Sequence, residues 1–142
     1  MALALFSEEL RDECMKRQSL DPELRNRLKG LTFRLLMVGT DAPGGEDRAL
    51  AINLQSGQFI NVGVTKKPAP NAELRSPNFD KSRFDAKVVG DHMTLYDLVS
   101  GKIDLATVLG RVQIHGNITN LTIQAPGFVA LIEFLATMDI EP

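Results

Sequence analysis

The residue types that most often carry chemistry are few in this sequence and do not group together. His92 and His115 are the only histidines, and neither stands at a metal-ligand spacing from a cysteine, aspartate or glutamate. Asp91, just before His92, is explained by capping of a following helix. The serines fall in cap, turn or loop contexts, and no Gly-x-Ser-x-Gly elbow occurs. The sequence therefore predicts neither a catalytic set nor a metal site.

The sequence also lacks a cofactor-binding motif and a pair of cysteines. The glycine-bearing stretch 39–45 matches neither a Walker loop nor a Gly-x-Gly-x-x-Gly turn that opens a helix, so we predict no cofactor. The single cysteine, Cys14, has no partner for an internal disulfide. We expect it to be a small buried apolar side chain. The C-terminal residues 139–142 differ from a Ser-Lys-Leu peroxisomal address, and we expect a cytoplasmic protein.

Composition narrows the possible partners. The chain has 142 residues, which suits one domain over 1–142 with a single core. A net charge of −2 provides no basic field that would attract nucleic acid or an anionic membrane. No run approaches the ~18 apolar residues that a membrane span requires. We therefore predict no nucleic-acid partner and no stable membrane insertion.

Hydrophobic periodicity predicts an antiparallel meander in the first half of the chain. Residues 33–38 are apolar on both alternating faces, which is typical of an internal strand. Residues 50–54 and 60–64 alternate so that one face of each strand is buried. Ser56-Gly57 lies between these two strands and predicts a two-residue hairpin turn.

Helices precede this meander and an irregular segment follows it. Ser7 and Asp21 are suitable N-caps for two successive helices, the second with proline at its first position. Residues 66–83 show no period and contain three prolines, so they form either a surface excursion or a flap. Alternation returns at 84–88 and predicts a fourth strand.

Three glycines divide the next stretch, residues 98–117. Gly101 suits the end of one helix, because glycine adopts positive φ without penalty. Asp104 suits the N-cap of a short second helix that ends at Gly110. After Gly110 the period becomes two, with aliphatic and polar side chains on opposite faces, which indicates a half-buried strand.

This stretch resembles the sterol carrier protein family (type two). In that family a Gly-Lys-Leu/Ile turn precedes a short helix, and a Gly-Lys/Arg-Leu/Val-x-Ile/Val-x-Gly-Asn/Asp strand follows. The matching residues are Gly-Lys-Ile at 101–103 and Gly-Arg-Val-Gln-Ile-His-Gly-Asn at 110–117. The detailed match covers residues 84–120, and upstream the order of elements agrees. The resemblance implies an α+β fold, with a mostly antiparallel sheet of about five strands and helices on one face that enclose an apolar tunnel.

The resemblance also implies an apolar lipid ligand in that tunnel, either a sterol, a fatty acid or an acyl-CoA. Such sites are concave and mainly apolar, which suits a sequence rich in aliphatic residues. The predicted ligand-binding residues lie on the later helices and on the strand between them: Leu95, Leu98, Val99, Ile103, Leu105, Val108, Leu109, Val112, Ile114, Leu121, Phe128, Leu131, Ile132 and Leu135.

We therefore expect a non-enzymatic protein that binds or transfers an apolar lipid. Two alternatives stay open. The first is a structural or regulatory subunit that docks a partner through its apolar C-terminal helix, and the second is an accessory component of a lipid-modifying enzyme. Retained lipid separates the carrier from the scaffold, because side chains would fill the core of a scaffold.

The last predicted helix, residues 127–138, has Glu133 as its only charge. One stripe of this helix can close the tunnel, but Val129, Phe134 and Met138 lie on other faces and need a second cover. Two covers are available, the apolar residues 1–6 and another copy of the chain. We predict a homodimer contact through this helix, because a twofold axis lets one patch bury itself twice.

Overall fold

Short helices on both sides of a central sheet make up the computed structural model, which describes residues 3–142 except for the side chains of residues 61 and 62. In chain order the elements are β1 (Leu3–Ala4), α1 (Glu8–Leu20), α2 (Pro22–Leu28), β2 (Phe33–Ala42), β3 (Glu46–Gln55), β4 (Gln58–Pro68), α3 (Ala72–Arg75), β5 (Ala86–Asp91), α4 (His92–Val99), α5 (Leu105–Leu109), β6 (Gln113–Gly116), α6 (Ile118–Ile123), α7 (Ala125–Ala136) and β7 (Ile140–Glu141).

Five of these strands form one sheet in the order β4-β3-β2-β5-β6. Neighbouring strands are antiparallel except β2 and β5, which run parallel. The meander is therefore confirmed, with Ser56 and Gly57 as the turn between β3 and β4, both at positive φ. The predicted α+β class with a five-stranded, mostly antiparallel sheet is confirmed as well.

Strand β2 lies at the centre of the sheet and carries apolar side chains on both faces, as its sequence predicts. Leu35 pairs with Ile52 on one face, and this face belongs to the main hydrophobic core. Val38 pairs with Ala49 on the other face, where both are buried in a separate cluster. Both faces of the sheet therefore require a cover.

Helices cover the first face. Buried side chains of α1, α2, α4 and α7 share one core with Phe33 and Leu54 of the sheet. Side-chain caps start the first two helices, because Ser7 Oγ accepts a hydrogen bond from the Leu10 amide at 3.1 Å and Asp21 Oδ1 accepts one from Leu24 at 3.1 Å. The sequence pattern had predicted both caps.

The two chain ends complete this layer. Residues 3–7, which we call the arm, begin with β1, and β1 pairs in parallel with β7. The next two arm residues, Leu5 and Phe6, are buried in the main core. The chain therefore provides its own cover over part of the helical layer, and residues 1 and 2 of the proposed cover lie outside the described part.

Helix α7 begins two residues earlier than predicted. Contacts within the chain cover more of its apolar surface than the sequence pattern predicts. Phe134 and Met138 are buried in the main core, whereas Val129 is 40% exposed. Phe134 and Met138 therefore do not need a homodimer contact as a cover, because contacts within the chain already bury them. Homodimerisation stays a prediction, with Val129 as the exposed apolar residue of the three.

Residues 69–83, which we call the strap, cover the second face of the sheet. They contain the short helix α3, whose Leu74 packs against the cluster of Val38, Ala49 and Val89. Lys87 of β5 is 1% exposed and donates from Nζ to three strap carbonyls, those of Glu73 (3.2 Å), Ser76 (2.6 Å) and Asn78 (3.1 Å). The irregular segment of the sequence is thus a flap over the sheet.

A second polar anchor holds the strap at the other end of the sheet. Asp47 is fully buried and accepts hydrogen bonds from Arg75 Nε at 2.7 Å, from Arg75 Nη2 at 2.9 Å and from the Asn71 amide at 2.8 Å. The Asp41 amide donates to the same carboxylate at 3.0 Å. The Arg75 hydrogen bonds lower the pKa of Asp47 from 3.8 to about 2, against the opposing effect of burial.

Asp47→Asn should destabilise the fold at neutral pH by about 2 kcal/mol, because it removes the charge that Arg75 stabilises. The contribution of Asp47 is present above pH 3.8, the pKa in the unfolded chain, and is lost as the pH falls through about 2. Urea unfolding at pH 7 and pH 3 measures the difference, which should shrink to about half at pH 3.

Asp41→Asn is the matched control, since Asp41 contacts the same arginine at 2.9 Å but is 68% exposed. It should cost less than about 0.5 kcal/mol. Equal losses in the two variants would show that Asp47 is not the anchor of the strap.

Candidate functional site

An apolar cavity of about 50 Å³ lies between the helical layer and the first face of the sheet. Its wall combines the N-terminal part of the chain, three strands and two later helices. The lining residues are Leu5, Ser7, Leu10, Arg11, Cys14, Met37, Leu50, Ile52, Phe59, Val99, Leu131 and Leu135. Nine of these twelve are aliphatic or aromatic hydrocarbon or thioether side chains, so the wall suits a hydrocarbon ligand.

Periodicity explains why these residues meet. Leu10 and Cys14 are one helical turn apart on α1, and Leu131 and Leu135 are one turn apart on α7. Leu50 and Ile52 alternate on β3 and therefore point to the same face of the sheet. Each element presents one apolar stripe, and the cavity is the space that the stripes leave between them.

The cavity is too small for the predicted ligands as it stands. Sites for drug-sized ligands occupy ~300–1,000 Å³, several times the 50 Å³ found here. A larger surface depression of about 510 Å³ lies between α1, α2 and α7, but charged side chains such as Arg17, Asp21 and Arg27 line it. Its chemistry does not suit an aliphatic ligand, so we take the small apolar cavity as the candidate site.

Only part of the predicted ligand-binding set lies on the cavity wall. Val99, Leu131 and Leu135 line it. Leu95, Leu98, Val108 and Phe128 are buried elsewhere, Val112 and Leu121 pack against the main core, and Ile103, Leu105, Ile114 and Ile132 are partly exposed. Leu109 is 47% exposed. A role in ligand binding for the residues away from the wall stays a prediction.

The sequence interpretation missed the wall residues from the first half of the chain. Leu5, Leu10 and Cys14 belong to the arm and α1, and Met37 and Leu50 belong to the sheet. The alternation in β2 and β3 did indicate a buried face. It did not show which residues of that face lie beside a space rather than against a neighbouring side chain.

Two polar residues lie at the wall next to the arm. Ser7 Oγ donates to the Ala4 carbonyl at 2.6 Å and also caps α1, so the local backbone occupies its hydroxyl. Arg11 is the only charged residue among the twelve lining residues, and its Nε contacts Asp12 Oδ1 at 3.1 Å. Neither arrangement contains a nucleophile beside a general base.

The two histidines lie away from the cavity wall and in different surroundings. Asp91 caps α4, as predicted, because its carboxylate accepts from the Met93 amide at 3.1 Å. His92 is fully buried, and neither of its ring nitrogens has a hydrogen-bond partner in the described part of the chain. His115 Nε2 is likewise buried and has no hydrogen-bond partner among the described residues.

The described residues contain neither a candidate metal-binding group nor a candidate membrane-spanning helix. Residues 3–142 contain no group of three histidine, cysteine or acidic side chains placed to hold a metal ion. No helix in the same part of the chain has the length and apolar character that a membrane span needs.

Comparison with solved structures shows the fold. A solution structure of a conserved hypothetical protein from Thermus thermophilus, described as possibly a sterol carrier protein, matches with a TM-score of 0.72, 16% identity and coverage of 97% of this chain and 92% of the other. A crystal structure of sterol carrier protein 2 matches with a TM-score of 0.71, 15% identity and coverage of 94% and 98%. The sterol carrier protein domain 2 of Helicoverpa armigera gives a TM-score of 0.51 with 19% identity, over 94% and 90%.

Fold and cavity together define an α+β domain that has an apolar space between its sheet and its helices. The chain has the fold of sterol carrier protein 2, and the predicted resemblance is confirmed at this level. No protein-family model matches the sequence, and no curated protein matches it.

Cys14 provides a chemical check of the cavity wall. Burial raises the pKa of its thiol to about 12, so the reactive thiolate is scarce at pH 8. Iodoacetamide should alkylate Cys14 at least ~100-fold more slowly than it alkylates glutathione at that pH. The chain unfolded in urea is the control and should react like glutathione, whereas a fast reaction of the folded chain would contradict the burial of Cys14.

Proposed function

We propose that the protein binds an apolar lipid in the cavity between the sheet and the helical layer and carries it without chemical change. The observation that carries this proposal is the chemistry of the cavity wall, where Arg11 is the one charge among twelve lining residues. Such a wall suits a hydrocarbon ligand, and the Ser7 hydroxyl and the Cys14 thiol on it have no general base beside them among the lining residues. The fold shared with sterol carrier protein 2 supports the same function.

The driving force is the removal of hydrocarbon from water. Each Å² of apolar surface that the ligand buries contributes ~25 cal/mol, less the cost of association and of ordering the chain. The cavity must grow from about 50 Å³ to hold a long-chain lipid. Several wall residues are only partly buried and pack at the edge of the core, among them Met37, Leu50 and Leu135, so this face has room to adjust.

The proposal includes three classes of lipid, because the fold does not select among them. A sterol, a fatty acid and an acyl-CoA all present the hydrocarbon that the wall recognises. We place the protein in the cytoplasm, since its one cysteine is a free buried thiol that needs no oxidising compartment.

Direct binding of fluorescent lipids tests the proposal. Delipidated protein titrated at pH 7.5 with a fluorescent stearate and a fluorescent cholesterol should give saturable binding to at least one of them, and the unlabelled lipid should displace it. Native mass spectrometry of freshly purified protein, followed by extraction, should identify retained lipid.

Leu135→Trp should weaken this binding about tenfold, ~1.4 kcal/mol, because Leu135 lies on the cavity wall and the indole would fill the space. Val129→Trp is the matched control on the same helix, since Val129 is exposed and does not line the cavity. It should change the affinity less than twofold. Circular dichroism checks that both variants fold.

Two outcomes would contradict the proposal. Absence of saturable binding for sterols, fatty acids and acyl-CoAs would favour the structural or regulatory subunit instead. Equal loss in the two tryptophan variants would place the ligand outside the cavity.

A further inference from the structure

The cavity has one wall element that can withdraw without breaking the sheet. The strands at the wall belong to the ladders of the five-stranded sheet, and α4 and α7 contribute several buried side chains to the main core. The far end of α1 is pinned by the buried side chain of Gln18, which accepts from the Phe59 amide at 2.9 Å and donates to the Gly57 carbonyl. The arm is shorter, because its backbone pairs with β7 over two residues and its buried side chains in the main core are Leu5 and Phe6.

The arm closes the cavity with Leu5 and Ser7, both on its wall, and is locked by Phe6 between them. Phe6 is fully buried and has φ of +60°, a strained conformation for a bulky side chain. Its ring contacts Gly39 so closely that a Cβ there would lie 2.9 Å from Phe6 Cε2. A strained backbone conformation persists only while the surrounding packing maintains it, so Phe6 is a position at which the arm can detach.

The Phe6 ring also contacts His92, with ring centroids 5.6 Å apart and a tilt of 40°. His92 is fully buried, and both ring nitrogens lack a hydrogen-bond partner within the described residues. A neutral imidazole can be held there, but an imidazolium would have two unpaired donors in an apolar site.

The charges around His92 do not rescue its protonated form. Arg48 of β3 disfavours the imidazolium and Asp91 favours it, but burial is the largest effect and lowers the pKa of His92 below 6.5. Phe6 of the arm and Gly39 of β2 bring no charge. Asp91 is also engaged as the cap of α4. The closed arm therefore has its full stability above pH 6.5 and loses stability as the pH falls from 6.5 towards the lowered pKa of His92.

We propose that the arm is a lid on the lipid cavity and that His92 is its pH-sensitive latch, so that protonation of His92 releases Phe6 and opens the cavity. This inference rests on the proposed function for its purpose, since acidification would then promote exchange of the bound lipid. The lid itself is a property of the chain without ligand. It can therefore be tested independently.

Cys14 is the reporter, because it lies on the cavity wall and is the only thiol. The ligand-free protein is reacted with 4,4′-dithiodipyridine between pH 7.5 and pH 5.0, and each rate is divided by that of the urea-unfolded chain at the same pH. For wild type the normalised rate should rise as the pH falls, because the closed state holds the pKa of His92 below 6.5. The upper limit at pH 5.0 is ~30-fold, which is set by a histidine of pKa 6.5 in the open state.

Four variants separate the latch from other causes of the rise. His92→Phe should abolish the rise while keeping the arm closed, and His92→Gln serves as the second variant if His92→Phe does not fold. His115→Ala removes the other histidine and should keep the full rise. Phe6→Ala should react rapidly at pH 7.5 and show little further gain at pH 5.0, because the arm then lacks its locking side chain.

A rise that persists in a folded His92 variant, or the absence of a rise in wild type, would overturn the latch. So would a urea dependence of the labelling rate at pH 5.0 as steep as that of global unfolding, because opening would then be unfolding of the whole domain. Lipid titration at pH 7.5 judges the proposed function separately. A working latch without lipid binding rejects only the carrier role, and lipid binding without a pH effect rejects only the latch.

Discussion

The central strand β2 imposes the main constraint on this fold, because it is apolar on both faces. Leu35 and Met37 belong to one face of the sheet, and Leu36 and Val38 belong to the other. Exposing either set to water would cost ~1.5–3 kcal/mol for each large side chain. The chain therefore needs a cover on both sides of its sheet, and helices supply one cover while the strap supplies the other.

The two covers are built differently, and this difference locates the cavity. On the second face, small side chains such as Ala49 allow close packing, and the buried polar groups of Asp47 and Lys87 fix the strap at defined positions. On the first face, large aliphatic side chains from separate helices meet the sheet mainly through apolar contacts, and Gln18 of α1 adds a buried polar contact to the backbone of Gly57 and Phe59. Space for a ligand arises on the side that is held mainly by hydrophobic contact, since such contact is non-directional.

The buried polar groups differ in how completely their hydrogen bonds are satisfied. The Asp47 carboxylate accepts four hydrogen bonds and the Lys87 ammonium donates three. His92 has no partner for either nitrogen among the described residues. Unsatisfied buried groups are costly and usually have a role. His92 contacts Phe6, the one strained residue of the arm, so a buried polar side chain without hydrogen bonds to the described residues lies beside the arm at the cavity wall.

The sequence by itself determined the main helices and strands, because periods of two and 3.6 residues and the capping residues Ser7, Asp21 and Asp104 act locally. The class of fold followed from the resemblance to the sterol carrier protein family, and the short elements β1, α3 and β7 were not predicted. The sequence also determined that β2 would be internal and that Cys14 would be buried. Only the tertiary structure decided that residues 69–83 lie on the second face, since the Lys87 ammonium holds three of their backbone carbonyls, 9 to 14 residues before it in the chain. Likewise, alternation identified a buried face, but the position of the cavity depends on how Leu5, Leu50 and Leu135 pack from distant parts of the chain. The volume between packed elements is a property of all of them together, and no local pattern encodes it.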